Sequence, residues 1–307
     1  MFRPMQRRRA LKCAIAFASL VGAMAALVGA SFLLSPIWPA TAVGARPGDA
    51  SPIVQGNGLA RPLAVTRIAH ASVLLDFDGV RVLTDPWFTE KWHYHQGEPL
   101  GLRLEDLPRL DLIVASHAHY DHFDIKSLAG YPHKDVPFLV GPDMVEAARA
   151  VGFTDVSELK PWQTWSRKEL KVTGAPARHG VPEVTFVIEA KGRTVYFGGD
   201  TLLIPELRTL PDRFEKFDLV LLSVNGLRVM GVPVVMNAEE AAELAGIMKA
   251  RVAVPIHYAF QGSALTDTFV LSRNGTPERF VAAAKRYAPL TEVRVLSPGQ
   301  RLVISGR

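Results

Sequence analysis

The chain is 307 residues long, with 35 Lys and Arg against 30 Asp and Glu and a formal net charge of +5. The excess belongs to Arg3, Arg7, Arg8, Arg9 and Lys12; with those five set aside the two signs balance at 30 each, so no general basic surface remains and a nucleic-acid-processing role loses its support. Cys13 is the only cysteine, which removes disulfides, a thiolate nucleophile and cysteine metal ligands from everything beyond the leader.

The chain begins with those five cations, and no acidic residue precedes Asp49. From Cys13 to Leu34 it carries no charge and is rich in Ala, Gly, Ser and Val. A basic region followed by an apolar run is the pattern of a secretory signal or an N-terminal anchor. The run reaches the length of about 20 residues that spans a bilayer, while its many small residues favour a signal. Arg7-Arg8-Arg9-Ala10-Leu11-Lys12 is similar to a twin-arginine export motif, with Ala where a large apolar residue is more usual, and Ala40-Thr41-Ala42 offers an A-x-A cleavage site. The positive end stays cytoplasmic and the remainder crosses, so the expected location is periplasmic, or anchored to the inner membrane with membrane contact through the uncleaved segment. Residues 35–62 are punctuated by Pro36, Pro39, Pro47, Pro52, Pro62 and four glycines, show no apolar periodicity and are expected to be unstructured. The organisation read here is an export signal or anchor over 1–42, a linker over 43–62 and one large domain over 63–307.

The domain opens with Val65–Ile68, then His70, then an alternation through Val73, Leu75 and Phe77. Asp78-Gly79 signals a hairpin, and Val80, Val82 and Leu83 return to Asp85. Next comes an aromatic loop with Trp87, Phe88, Trp92, His93, Tyr94 and His95, which lines a pocket mouth, touches a lipid acyl chain or simply packs. Met144–Ala150 reads as a helix, and Trp162 and Trp165 as core or rim. The opening phrase then recurs: His179, a strand through Phe186 and Ile188, a Lys191-Gly192 turn, Val195 to Phe197, and Asp200. Two such phrases predict an internally duplicated α/β fold, an αββα sandwich of two sheets back to back with helices outside. Leu219–Leu222 and Val252–Ile256 read as buried strands. Residues 238–250 read as a helix capped by Asn237 with Glu240 three positions on, and Pro277–Tyr287 as another.

The most informative stretch is 111–124, DLIVASHAHYDHFD. Leu112 to Ala115 form an apolar run typical of a strand buried on both faces. His117, His119, Asp121 and His122 follow at its end, and imidazole with carboxylate suits zinc, iron or manganese. In an extended loop His117, His119 and Asp121 share a direction because side chains repeat with period two, while His122 points elsewhere. One turn then serves two neighbouring metals; the competing reading is a polar surface loop that happens to hold histidine. His257 stands at the end of its strand as His117 does. His133, beside Pro132, has no assigned role.

With its H-x-H-x-D-H run, His179 in ARHG, Asp200 in FGGDT and His257 in PIHY, the chain resembles metallo-β-lactamase-fold hydrolases over roughly residues 63–307. AHASVLLDFDGVRVLTDPWF and the SHxHYDH loop are most similar to the branch of ascorbate 6-phosphate lactonases and N-acylphosphatidylethanolamine-hydrolysing phospholipases D. The resemblance implies two zinc ions per chain, the first on His117, His119 and His179, the second on Asp121, His122 and His257, with Asp200 bridging. Asp121 would also orient a metal-bound hydroxide, whose formation needs the pKa of water brought from near 16 to roughly 7. His70 and Asp85 either sit in or beside the pocket or cap a strand and form a turn; in the first case His70 is a catalytic candidate that assists the leaving group. Two departures weaken transfer of a phospholipid substrate: Gly180 stands where the phospholipase branch tends to carry tryptophan, and Val234-Val235-Met236 where it carries a histidine.

The function expected is hydrolysis of a small ester, lactone or phosphodiester, phospholipid included. Two alternatives are a mononuclear iron dioxygenase of the same fold and a non-catalytic, membrane-tethered metal-binding module. Metal identity separates the first, since zinc does not change redox state, and a closed coordination shell would mark the second.

Overall fold

A computed structural model of the chain describes residues 61–305 and the backbone of Thr41–Ala42. The basic and apolar leader expected to direct export, and nearly all of the linker, lie outside the described residues. The short strand Thr41–Ala42 pairs antiparallel with Thr89–Glu90, so the stretch expected to be unstructured contributes one backbone pairing.

The first half of the domain starts as a meander: β1 (Leu63–Ala69), β2 (Ser72–Phe77) and β3 (Val80–Thr84). Asp78 and Gly79 both take positive φ, 52° and 91°, as a two-residue hairpin turn requires. Parallel strands β4 (Leu112–Ala115), β5 (Phe138–Val140) and β6 (Val156–Glu158) follow. The second half repeats the plan. After an edge strand β7 (Thr164–Arg167), the meander β8 (Leu170–Pro176), β9 (Val184–Ala190) and β10 (Arg193–Phe197) turns at Lys191 and Gly192, again with positive φ. Parallel strands β11 (Leu219–Ser223), β12 (Val252–Ile256) and β13 (Glu292–Val293) complete it, and β14 (Arg301–Ile304) returns to the edge of β1. The sheet orders are β14-β1-β2-β3-β4-β5-β6 and β13-β12-β11-β10-β9-β8-β7, two seven-stranded sheets built to one scheme. The internally duplicated αββα sandwich expected from the sequence is therefore the fold.

Alternation explains the layers. Leu63, Val65, Val73, Leu75 and Phe77 point to a core shared with Val172, Phe186, Ile188, Val195 and Phe197 of the other sheet. The opposite faces take helices. Four are short: α1 (Ile125–Leu128), α2 (Val145–Ala150), α3 (Leu210–Arg213) and α5 (Ala264–Phe269). The longer α4 (Ala238–Ile247) and α6 (Pro277–Tyr287) lay Ala241, Ala245, Phe280 and Ala284 over Val187, Tyr196 and Val220. Phe186 is fully buried, and truncating it to alanine costs about 3–5 kcal/mol. Two helix boundaries differ from expectation. Met144 caps α2 instead of starting it, and α4 stops at Ile247, three residues early, because Lys249 turns left-handed (φ 48°) to feed β12.

β1, β3 and β4 run one way in their sheet, and β8, β10 and β12 run one way in theirs. The loops after these strands converge at one edge of the sandwich, at carboxyl ends where α/β sheets collect their functional groups. A small three-stranded sheet, ordered Val232–Pro233, Arg228–Val229, Leu271–Ser272, stands beside that edge.

Candidate metal centre

Six of the nine histidines meet at this edge: His70 after β1, His117, His119 and His122 after β4, His179 after β8 and His257 after β12. One group is His117, His119 and His179. The Nε2 atoms of His117 and His179 lie 2.9 Å and 3.2 Å from His119 Nδ1. A second group is His70, Asp121, His122 and His257, whose donor atoms all lie within 4.8 Å of one another. Asp121 Oδ2 is 3.2 Å from His70 Nε2, 3.7 Å from His122 Nε2 and 3.8 Å from His257 Nε2. Asp200 stands between the groups, with Oδ2 2.8 Å from His257 Nε2, 3.3 Å from His122 Nε2 and 4.0 Å from His179 Nε2.

The geometry brings together all seven residues read as metal ligands and adds His70 to them. Asp200, expected from the resemblance to bridge, lies between the two groups. Asp85 stands behind the donors. Its Oδ1 accepts from the Ser116 backbone N–H, and Oδ2 accepts from Ser116 Oγ and from His122 Nδ1 at 2.7 Å and 2.6 Å. With the Ser116 hydroxyl proton committed to Asp85, its Oγ is left to accept from His117 Nδ1, 3.0 Å away. One buried carboxylate thus fixes two imidazoles, and His179 Nδ1 donates to the Val234 carbonyl at 2.7 Å. With Nδ1 protonated, His117 and His179 present an unprotonated Nε2 inward, as metal ligation needs, and His122 would do so on giving up its second proton.

Glu183 was not singled out from the sequence, although a carboxylate directly ahead of a buried strand is a usable signal. It is buried, accepts from the Asp200 backbone N–H at 2.7 Å and lies 3.3 Å from His117 Nδ1. Gly199 permits this approach. It has φ 47°, and a Cβ there would fall 2.4 Å from Glu183 Oε1.

The electrostatics call for cations. The described ion pairs of Asp85, Asp121, Glu183 and Asp200 run to histidines alone, with no lysine or arginine. Burial pushes His117 and His179 below the ordinary imidazole range and brings His119 down to about 4, so these rings are neutral. Burial also opposes charge on Asp121 and Asp200, but His122 and the other neighbouring imidazoles outweigh it and hold both carboxyls low. For His122 burial works against a proton, yet Asp200 and Asp121 raise its pKa well above the usual value, so positive charge gathers between the carboxylates. Buried His122 Nε2, His257 Nε2, His70 Nε2 and Asp121 Oδ1 make no hydrogen bond among the described residues. Unpartnered donor atoms facing one another among buried carboxylates fit a bound metal ion.

Strained backbone aims these side chains. His70, Asp85 and His257 take left-handed φ of 53°, 32° and 58°, uncommon for residues with a Cβ and characteristic of functional sites. The His257 N–H donates to the His70 carbonyl, joining the two halves.

His119, Asp121, His179, Asp200 and His257 form the floor of a cavity of about 430 Å³. Its walls are chiefly apolar: Val181, Leu227, Val229, Val232, Val234, Phe260 and Leu271, with Gly180, His93, Tyr94 and Thr266. The aromatic loop is divided in its roles. His93 and Tyr94 line the cavity, Trp87 and Phe88 are buried, and Trp92 is exposed. His95 pairs with Glu90 away from the floor. Trp165 and Trp162 pack against the inter-sheet and outer cores, and His133 is bonded to Arg109 outside the site.

Fold and site together define a His/Asp metal-binding centre in a duplicated αββα sandwich, and relatives of this chain are metal-dependent hydrolases. The family described as beta-lactamase superfamily domain matches residues 80–258, more than half of the chain, and the chain belongs to it, among the UPF0173 metal-dependent hydrolases. One such relative, from Anaeromyxobacter sp. (strain K), is 32% identical over 273 residues, covering 77% of this chain and 85% of its own. An uncharacterized protein of Mycobacterium tuberculosis (strain ATCC 25618 / H37Rv) is 30% identical over 293 residues, covering 85% of this chain and 75% of its own. Among solved structures, Igni18, a metallo hydrolase from Ignicoccus hospitalis, matches with a TM-score of 0.62 at 24% identity, over 80% of this chain and all of that one. An isothiocyanate hydrolase from Delia radicum gut bacteria matches with 0.62 at 20%, over 78% and 98%. CmlA, a diiron β-hydroxylase from Streptomyces venezuelae, matches with 0.60 at 15%, over 82% of this chain and 55% of that one. These three likenesses concern the fold, which carries more than one chemistry.

Proposed function

We propose that the chain hydrolyses a small, uncharged ester or lactone bearing an apolar group, using two metal ions, zinc in the first instance. One observation carries this reading: eight converging donors sit at and just beneath the floor of a cavity whose walls are apolar. Among the described residues the lining includes no lysine or arginine to meet a phosphate, which favours an ester or lactone over the phosphodiester that the sequence also allowed. Two bound divalent ions supply Lewis acidity and lower the pKa of water from near 16 to about 7.

The chain's own residues do the rest. His117, His119 and His179 would hold one ion, Asp121, His122 and His257 the other, and Asp200 would serve both. Asp121, ionised and on the floor, leaves Oδ1 to accept a hydrogen bond from the attacking water and orient it. Leu227, Val229, Val232 and Phe260 exclude bulk water and take the apolar part of the substrate. Tyr94 keeps its proton, because burial, with Asp121 nearby, pushes its pKa above the ordinary phenol value, and so donates from the wall to a carbonyl oxygen.

The test joins elemental analysis with a panel of p-nitrophenyl esters, lactones, phosphodiesters and β-lactams. The expected result is about two metals per chain and turnover of neutral esters or lactones, lost on chelation. Absence of metal, or turnover that survives its removal, would sink the proposal. Export is a second, separate proposal, supported by Arg7-Arg8-Arg9 and the uncharged run after Lys12. Replacing all three arginines with lysine should retain the protein in the cytoplasm, and undiminished periplasmic accumulation would count against it.

A further inference from the structure

We propose that His70 is itself a metal ligand, the third imidazole of the group that also contains Asp121, His122 and His257. The inference rests on the reading that these donors hold metal. It changes the role expected of His70, which the sequence offered as an aid to the leaving group. A leaving group would have to meet it in the cavity, and His70 is fully buried and forms no part of the wall. Its ring is enclosed by Trp87, His122, His257 and Phe260, with centroids 5.0, 5.2, 4.0 and 5.9 Å away.

Three observations point inward instead. His70 Nε2 lies 3.2 Å from Asp121 Oδ2 yet makes no hydrogen bond, so the contact lacks the alignment of a donor serving that oxygen. Its 3.2 Å separation from Asp121 Oδ2 matches the 2.9 Å and 3.2 Å among His117, His119 and His179, and its other neighbouring donors lie within 4.8 Å. Metal–nitrogen bonds of 2.0–2.1 Å in a tetrahedral shell put donors about 3.4 Å apart, close to what both groups show.

The backbone is also built to present this ring. His70 holds φ at 53°, its N–H donates to Glu98 Oε1 at 3.2 Å, and its carbonyl accepts from the His257 N–H at 3.3 Å. Glu98 is fixed in turn by the buried Arg67, whose Nη1 donates to Oε2 at 3.0 Å. A loosely placed core histidine would not need an ion pair behind it. Finally, His70 follows β1 as His179 follows β8, the corresponding strand of the other half, and His179 stands among the donors.

With His70 counted, each group has three imidazoles and a share in Asp200, and the His70 group alone adds Asp121. The richer and more deeply buried group should therefore fill first, leaving the group of His117, His119 and His179 as the exchangeable one.

The experiment titrates metal-free, full-length protein carrying 15N-histidine with 113Cd2+ and reads one-bond cadmium–nitrogen couplings by NMR. The expected result is two 113Cd signals, each coupled to three imidazole nitrogens, the first to appear including His70. One signal coupled to three nitrogens and the other to two would overturn the assignment, and so would a first-filled site without His70. His70→Gln preserves shape: it should strip one coupling from the first-filled signal, leave the other unchanged and weaken that site by more than the roughly 10–100-fold cost of losing an outer partner. Unchanged couplings in that variant would also overturn the assignment. Failure to bind cadmium at all would remove both this inference and the proposed function, whereas active, metal-loaded enzyme with a three-and-two pattern would remove this inference alone.

Discussion

Each half of the domain ends its first strand near a histidine and its third near an aspartate, but the two pairs stand at different depths. In the first half His70 follows Ala69 directly and Asp85 follows Thr84 directly, with no residue between strand and side chain. In the second half Ala177 and Arg178 separate β8 from His179, and Gly198 and Gly199 separate β10 from Asp200. The two extra residues carry His179 and Asp200 past the strand ends onto the cavity floor, while His70 and Asp85 stay recessed behind it. Recession leaves Asp85 to brace His122 and, through Ser116, His117; projection puts Asp200 among the donors themselves. A duplicated scaffold thus acquires two roles for one residue type through loop length alone.

The sharpest way to break that comparison is to remove each aspartate in turn. Asp200→Ala should have the largest effect of any single change. It takes the shared carboxylate from both groups, so metal content should drop from about two per chain to one or less and turnover should vanish. Asp85→Asn should do less. The amide keeps the shape but loses the charge that orients His122 and Ser116, which predicts about 10–100-fold weaker metal binding with both sites still able to fill at excess metal. Competition against a chelator measures both, and equal losses in the two variants would refute the division between projecting and recessed residues.

Depth is also what the sequence could not express. His117, His119, Asp121 and His122 were legible because four ligand types crowd one strand end, and the duplication because two His–hairpin–Asp phrases repeat in order. Strand runs such as Leu219–Leu222 and the Asn237–Glu240 capping box were legible for local reasons: both signals lie within a few residues. His70 stayed ambiguous between a place in or beside the pocket and a strand cap because its surroundings, Glu98, Trp87 and His257, come from distant segments. Glu183 escaped notice because nothing near it in sequence shows that Gly199 and His117 will fold against it. The apolar walls come from residues 227–234 and 260–271, short irregular stretches without periodicity, and only the assembled fold makes them a surface. The end of α4 was misjudged because its apolar pattern continues through Met248 and Ala250 while the backbone has already turned at Lys249.

The projecting residues share the cavity with its walls, so a wall substitution should change turnover without touching metal. Val232→Glu places a carboxylate beside the apolar part of a bound substrate. Contacts of this kind distinguish substrates by about 1–3 kcal/mol, so kcat/KM for long-chain p-nitrophenyl esters should fall by roughly 10–200-fold and that for the acetate far less. Metal content should stay at the wild-type value. A uniform loss across chain lengths would place the apolar group somewhere other than this wall.

The smallest expected effect tests whether scaffold and centre separate in the projecting half. Asn237 caps α4, its side chain accepting from the Glu240 N–H at 2.9 Å while Glu240 accepts from the Asn237 N–H at 3.0 Å. Shortly upstream, the Val234 carbonyl orients His179, and Met236 donates to Thr201 beside Asp200. Asn237→Ala removes a cap worth about 1 kcal/mol, which in a domain of this size lowers Tm by about 2–4 °C. If the helix start and the donor loops are independent, cadmium affinity at the group of His117, His119 and His179 will match wild type despite the lower Tm. A loss of affinity there, with the His70 group unaffected, would show that the longer loops of the second half draw their position from α4, a dependence the recessed residues of the first half do not share.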